Sequence, residues 1–186
     1  MSDETPAAKA LRELRALIGR PISAPSVAPD PVNQPMIRHW AAAFEDHNPV
    51  YTDVERAASS RFGGIVAPPM MLQTWTMPTP KITGIAARGG SPVETTTNPL
   101  TALDEAGYIA TLATNSEFEI FRYLRLGDIV TSTTEIESVS DEKQTRIGRG
   151  HFITWVTTYR DEHGEIVGRQ MFRILKFVPD LALLSS

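Results

Sequence analysis

The chain has 186 residues, a formal net charge of −4 and no cysteine. That length supports one globular domain with a sizeable core, and the missing cysteine excludes disulfides, thiolate nucleophiles and cysteine-ligated metals. The mild acidity excludes the broad basic field of a nucleic-acid-binding surface. No apolar run reaches the ~18 residues of a membrane span, and residues 1–20 lack the apolar core of a secretory signal; a cytoplasmic location is expected.

Ala7, Leu11, Leu14 and Ile18 recur at the helical period, which predicts a packing helix over residues 7–18, stopped by Gly19 and Pro21. Residues 1–20 are read as an N-terminal helical extension and residues 21–180 as a single domain. Residues 21–34 are proline-rich and show little periodicity. Pro35 suits a first helical turn, and Met36, Ile37, Trp40, Ala41 and Phe44 give the following helix an apolar face. Asn48-Pro49 marks a turn, and residues 54–60 add one short helical turn. The apolar stretch around Met70, Met71, Leu72 and Trp75 predicts a buried helix near residues 69–77, because proline is tolerated in a first turn. Residues 78–99 read as a long loop, the kind that walls a pocket. Residues 100–107 form a helical turn closed by Gly107. Beyond it, alternation in 117–121 and 131–137, with turns at Gly127-Asp128 and His163-Gly164, predicts strands ending at Pro179. Helices first and strands afterwards predict an α+β fold with an antiparallel sheet.

None of His39, His47, His151 and His163 forms a close metal-ligand pair with another, so no metal site is expected. No nucleophile elbow, phosphate loop or dinucleotide fingerprint is present. The one dense polar cluster is Asp46-His47-Asn48-Pro49-Val50-Tyr51-Thr52-Asp53. An aspartate with an asparagine two residues on is able to orient a water. The same residue types also stop a helix and build a turn.

This cluster with Ala57-Ala58, then Phe62-Gly63-Gly64-Ile65-Val66-Ala67-Pro68-Pro69-Met70, then residues 117–128 (EFEIFRYLRLGD), resembles the MaoC-like dehydratase and (R)-specific enoyl-CoA hydratase family over residues 33–178. The resemblance implies a hotdog fold, an antiparallel sheet wrapped around a central helix. It also implies water addition to or removal from enoyl thioesters by an Asp/His pair, with a glycine N–H at the start of the central helix holding the carbonyl. Carried over residue by residue, the family's aspartate falls on Asp46 and its asparagine on Asn48. Its histidine falls on Tyr51 and its glycine on Pro69. A phenol with a pKa near 10 is a poor base at neutral pH, and proline has no N–H to donate. His47 is an alternative base, although it points away from Asp46 if the helix continues.

The resemblance therefore implies a subunit of a heteromeric enoyl-CoA hydratase acting on a bulky acyl-CoA such as a steroid side-chain thioester. The partner, a related MaoC-like subunit, supplies the Asp/His pair, and this chain shapes the acyl pocket with Met70, Met71 and Trp75. A C-terminal domain or further pathway protein is a second expected partner. Coenzyme A enters as part of the substrate, and no other cofactor is expected. Arg122 and Arg125 are read as structural, with coenzyme A phosphates as their other role, and His151 as structural. Two other readings remain: a self-sufficient hydratase using Asp46 with Tyr51 or His47, and an acyl-thioester-binding or structural protein with no enzymatic role.

Overall fold

Local chemistry sets the ends of the helices. The Thr5 hydroxyl accepts the Ala8 N–H and opens α1 (Pro6–Arg15). The Asn33 side chain accepts the Met36 N–H and opens α2 (Gln34–Ala43), with Pro35 in its first turn. Glu45 ends α2 in a left-handed conformation, φ 52°, while the Asp46 N–H returns to the Ala41 carbonyl at 2.8 Å. Asp53 accepts two N–H groups and opens α3 (Val54–Ser59). A short α4 (Thr101–Glu105) is closed by Gly107 at φ 98°. The computed structural model describes residues 4–84 and 99–180; most of the expected 78–99 loop, residues 85–98, lies outside them.

The described strands are β1 (Ser26–Val27), β2 (Ala110–Ile120), β3 (Thr131–Val139), β4 (Lys143–Thr145), β5 (Gly148–Arg160) and β6 (Ile166–Pro179). Among the described residues they form one sheet in the order β1-β3-β5-β6-β2. All named pairings are antiparallel, and β4 pairs with β5 off the main path. The α+β expectation holds, and β6 ends at Pro179 as read. The proline-rich segment 18–28 has a role its sequence did not reveal. It runs along the outer edge of β3, with the Gly19, Ile22 and Ala28 N–H groups reaching the Ile136, Thr134 and Val130 carbonyls. Proline fits there because an edge segment need not donate at every position.

The expected central helix is present as Pro69–Thr76, a 3-10 helix of eight residues. Pro78 disfavours helical backbone at Met77, which is extended at ψ 132°, so the element stops one residue earlier. Its Leu72 and Gln73 lie on the sheet face formed by Tyr159, Gly168 and Gln170.

Two apolar clusters share that face. One gathers Ile37, Tyr51, Ala57, Val66, Met71, Leu72, Trp75, Val130, Tyr159 and Val167 beneath α2, α3 and the 3-10 helix. The other gathers Ala10 and Leu14 of α1 and Leu103 of α4 over Ile136, Ile153 and Ile174. Burying each such aliphatic side chain contributes about 1.5–3 kcal/mol. Of the stripe expected for α1, Leu14 is buried and Ala7 and Leu11 pack against the same cluster beside Ala10, whereas Ile18 lies beyond the helix, 41% exposed. The residues read as an extension thus pack on the main sheet.

Candidate functional site

Asp46 and Asn48 serve the turn that follows α2. The Asp46 carboxylate accepts the Asn48 N–H at 3.0 Å, and the Asn48 amide oxygen accepts the Val50 N–H at 3.3 Å. This opens a 3-10 turn, Pro49–Tyr51, that carries Tyr51 into the core. The Gln34 amide donates to the Tyr51 carbonyl at 2.9 Å and ties α2 to the turn. Burial pushes the Tyr51 phenol above its ordinary range, and the nearby Tyr123 and Asp46 push it further. Less of Tyr51 is therefore in the phenolate form at neutral pH than for a phenol in water. His47, the alternative, is exposed beside the turn.

The residues before Pro69 are held against the strand side of the molecule. The Ala67 N–H donates to the Leu124 carbonyl at 2.8 Å, and Val66 bridges to Arg125. Pro69 is the first residue of the 3-10 helix, so the position expected to donate to a carbonyl has no proton to give. The crevice beside it, lined by Pro68, Pro69, Leu72, Ile120, Arg122 and Tyr123, has a volume of about 10 Å³. That is room for roughly one water. Met70 is 52% exposed at the start of the helix, whereas Met71 and Trp75 are 1% and 3% exposed and belong to the core. Among the described residues the buried Trp75 indole N–H has no partner.

A much larger opening lies between the two apolar clusters on the same sheet face. It is a cleft of about 550 Å³ lined by Ile22, Gln73, Thr134, Trp155, Thr157, Gln170 and Phe172. Trp155 and Phe172 stack with ring centroids 6.4 Å apart and planes 24° from parallel. The Thr134 and Thr157 hydroxyls are 2.9 Å apart. Gln170 donates to the Gln73 amide oxygen at 2.9 Å and to the Ser116 hydroxyl at 3.3 Å, and accepts the Tyr159 hydroxyl at 3.0 Å. Sequence reading placed Thr134, Trp155 and Phe172 in strands, Gln73 in the helix and Ile22 in the proline-rich segment, but none of them in a site. The available signal was polar Thr and Gln residues alternating with aromatics on inward positions of β5 and β6.

Arg122 is held at 2.6 Å by Asp128 and at 2.6 Å by Asp161, which accords with a structural role. The Asp161 side chain is 1% exposed and also accepts the His163 and Glu165 N–H groups. The Arg122 hydrogen bond, followed by those backbone bonds, holds its carboxyl below the usual carboxylate range. The Arg125 side chain is exposed. His151 is buried edge-on to Tyr108, with Nδ1 3.1 Å from the Ser140 carbonyl. Among the described residues no group of three His, Cys, Asp or Glu side chains is placed to hold a metal ion, and no helix is long and apolar enough to cross a membrane.

The FAS1-like dehydratase domain region model matches residues 16–170. The chain is 45% identical over 170 residues to a probable enoyl-CoA hydratase alpha subunit of Thermomonospora curvata, covering 90% of this chain and 52% of that protein. It is 41% identical over 158 residues to the 3-oxo-4,17-pregnadiene-20-carboxyl-CoA hydratase alpha subunit of Mycobacterium tuberculosis, covering 84% and 48%. The chain thus spans about half the length of these relatives. A chain in the crystal structure of the ChsH1-ChsH2 complex from Mycobacterium tuberculosis superposes with a TM-score of 0.75 at 39% identity, covering 92% of this chain and 90% of that one. A MaoC-like dehydratase from Rhodospirillum rubrum, at 17% identity and a TM-score of 0.55 over 84% and 92% of the two chains, shares the fold. On the family match and the antiparallel sheet, the chain belongs to the FAS1-like dehydratase family and has the MaoC-like hotdog fold.

Proposed function

We propose that this chain is the pocket-forming subunit of a heteromeric enoyl-CoA hydratase acting on a bulky acyl-CoA, with a related hotdog subunit supplying the catalytic Asp/His pair. In that reaction the hydroxyl of water bonds to the β-carbon and its proton to the α-carbon of the enoyl thioester. The observation that carries the reading is a contrast in space. The crevice beside Pro69, where the reacting thioester would sit, is about 10 Å³, and the cleft farther along the sheet is about 550 Å³. Sites for drug-sized ligands fall in the range of roughly 300–1,000 Å³.

The relatives support the assignment, since two are named as hydratase alpha subunits and one of these for a steroid-carboxyl-CoA. A steroid side-chain acyl group is accordingly the proposed substrate class. Trp155 and Phe172 line the acyl wall in this reading, and Met71 and Trp75 support it from the core. β2 offers the docking edge. It pairs with β6 on one side and has no strand partner on the other among the described residues.

The test is a mixture of the chain with a related subunit that has an intact Asp/His motif. Hydration of a bulky enoyl-CoA is expected from the mixture and not from this chain alone. Changing the partner's aspartate or histidine to alanine should abolish activity, while Asp46→Ala in this chain should leave it. Activity that survives the partner substitutions, or ordinary hydratase rates from this chain alone, would sink the proposal.

A further inference from the structure

The face of the sheet turned away from the 3-10 helix is hollowed as well. A cleft of about 670 Å³ crosses it from β3 to β2 and ends against Ile18 and Gly19. Strand register sets its chemistry. Glu135, Val156, Met171 and Glu117 are successive cross-strand partners on β3, β5, β6 and β2, and Thr133, Thr158, Arg169 and Glu119 form the next such row. Alternate residues of a strand share a face, so both rows point away from Tyr159, Gly168 and Gln170, on which the 3-10 helix sits. Glu137, at the irregularity in β3, joins Glu135 on one wall, and Glu117 and Glu119 make the other. The floor between the walls is the half-buried pair Val156 and Met171. Arg169 is the one cation among the lining residues, and its guanidinium lies over the Phe121 ring, 5.8 Å from the centroid. Among the described residues none of the four glutamate side chains has a hydrogen-bond or ion-pair partner.

We infer that this outer face docks a helix of a partner protein whose apolar stripe is flanked on both sides by lysine or arginine. Three strand spacings separate β3 from β2, so the walls stand about 14 Å apart, and an α-helix with its side chains is about 10–12 Å across. The stripe covers Val156 and Met171, while the two basic flanks face the glutamates of β3 and of β2. Carboxylates on both walls with little counter-charge between them repel one another, and a basic partner relieves that repulsion. A second copy of this chain does not fit face to face, because the same carboxylates would meet themselves. The surface lies on the opposite side of the sheet from the 550 Å³ cleft, and the inference does not depend on the hydratase reading.

Fluorescence anisotropy of the full chain with labelled peptides of about 18 residues, roughly 27 Å as a helix, tests this. One peptide has a leucine stripe with lysine flanks, one has the same residues in an order that breaks the stripe, and one has the stripe with glutamate flanks. The first should bind at least about 10-fold more tightly than either of the others, and its binding should weaken as salt rises from about 50 mM to about 300 mM. Changing Glu117, Glu119, Glu135 and Glu137 together to glutamine should weaken it by about 10-fold or more. The same change at Glu45, Glu55, Glu105 and Glu165, exposed elsewhere, should leave it within about 2-fold. Val156→Thr with Met171→Thr, which keeps β-propensity, should erase the advantage of the stripe. Circular dichroism of each variant monitors its fold. No binding of the striped lysine peptide, equal affinity for the unstriped one, or an equal loss from the two sets of glutamines would each overturn the inference. Spermine binding with the same glutamate dependence, and no preference for the stripe, would assign a small-polycation site and overturn it too.

Discussion

At Tyr51 and Pro69 two separate chemical deficits coincide. The phenol is buried and its pKa is raised, and the helix start has no N–H. Repairing one leaves the other. Tyr51→His is therefore expected to leave the isolated chain at least about 100-fold below ordinary hydratases, since a missing oxyanion donor alone costs roughly 100- to 1000-fold. Steady-state hydration by the purified variant checks this, and a rate within 10-fold of a competent hydratase would show that the base was the whole defect. Arg122 makes a different point. Replacing it with methionine strands the buried Asp161 carboxylate, with an expected loss of about 2–3 kcal/mol at neutral pH. The Asp161 carboxyl titrates below its unfolded value of about 3.9. Its contribution is therefore complete above about pH 4 and is lost as pH falls through the lowered folded value. Urea melts from pH 7 to pH 3 should show the gap between Arg122→Met and the unaltered chain closing on the acid side. A gap independent of pH would exclude the ion pair as its source.

Seating the 3-10 helix on the sheet depends on a small residue beneath it. A Cβ placed on Gly168 would come 2.6 Å from Leu72 Cδ2 and 2.8 Å from the Glu119 carbonyl oxygen. The leucine is able to turn away, but the β2 backbone is fixed by its pairing with β6. Gly168→Ala should therefore destabilise the chain by about 1–3 kcal/mol, the usual cost of overpacking. Denaturant unfolding measures this, and an unchanged midpoint would mean that the helix floats freely over β6.

For the whole molecule, the two long edges of the sheet are treated differently. The outer edge of β3 is covered by residues 18–28, while β2 is eleven residues long with most of its side chains exposed. Ile109 and Leu112 on and beside it are 69% and 48% exposed. Among the described residues this edge has no strand partner, and an open edge of this length is a pairing site unless it is covered. Changing both residues to lysine should weaken assembly with the proposed hydratase partner by at least about 10-fold, roughly 1.4 kcal/mol, and leave the chain's own melting temperature nearly unchanged. Native mass spectrometry of the mixture reads the first and calorimetry the second. Undiminished assembly would place the interface elsewhere.

The sequence by itself determined that helices precede strands and the turn chemistry of Asp46–Asp53, because periodicity and turns rest on residues a few positions apart; the antiparallel character of the second half followed from that order of elements. It also determined the chemistry at Pro69, since a missing N–H is a property of the residue and not of its surroundings. Only the tertiary structure decided that the helix after Pro69 is of the 3-10 type, that α1 packs on the main sheet, and that Tyr51 is buried. The cleft was beyond local reading for a definite reason. Gln73 and Gln170 are 97 positions apart, and Trp155 meets Phe172 only through the register of β5 against β6. Periodicity reveals which residues share a face of one strand, but the pairing of strands and the seating of a helix on them place donors and aromatic rings around a common space.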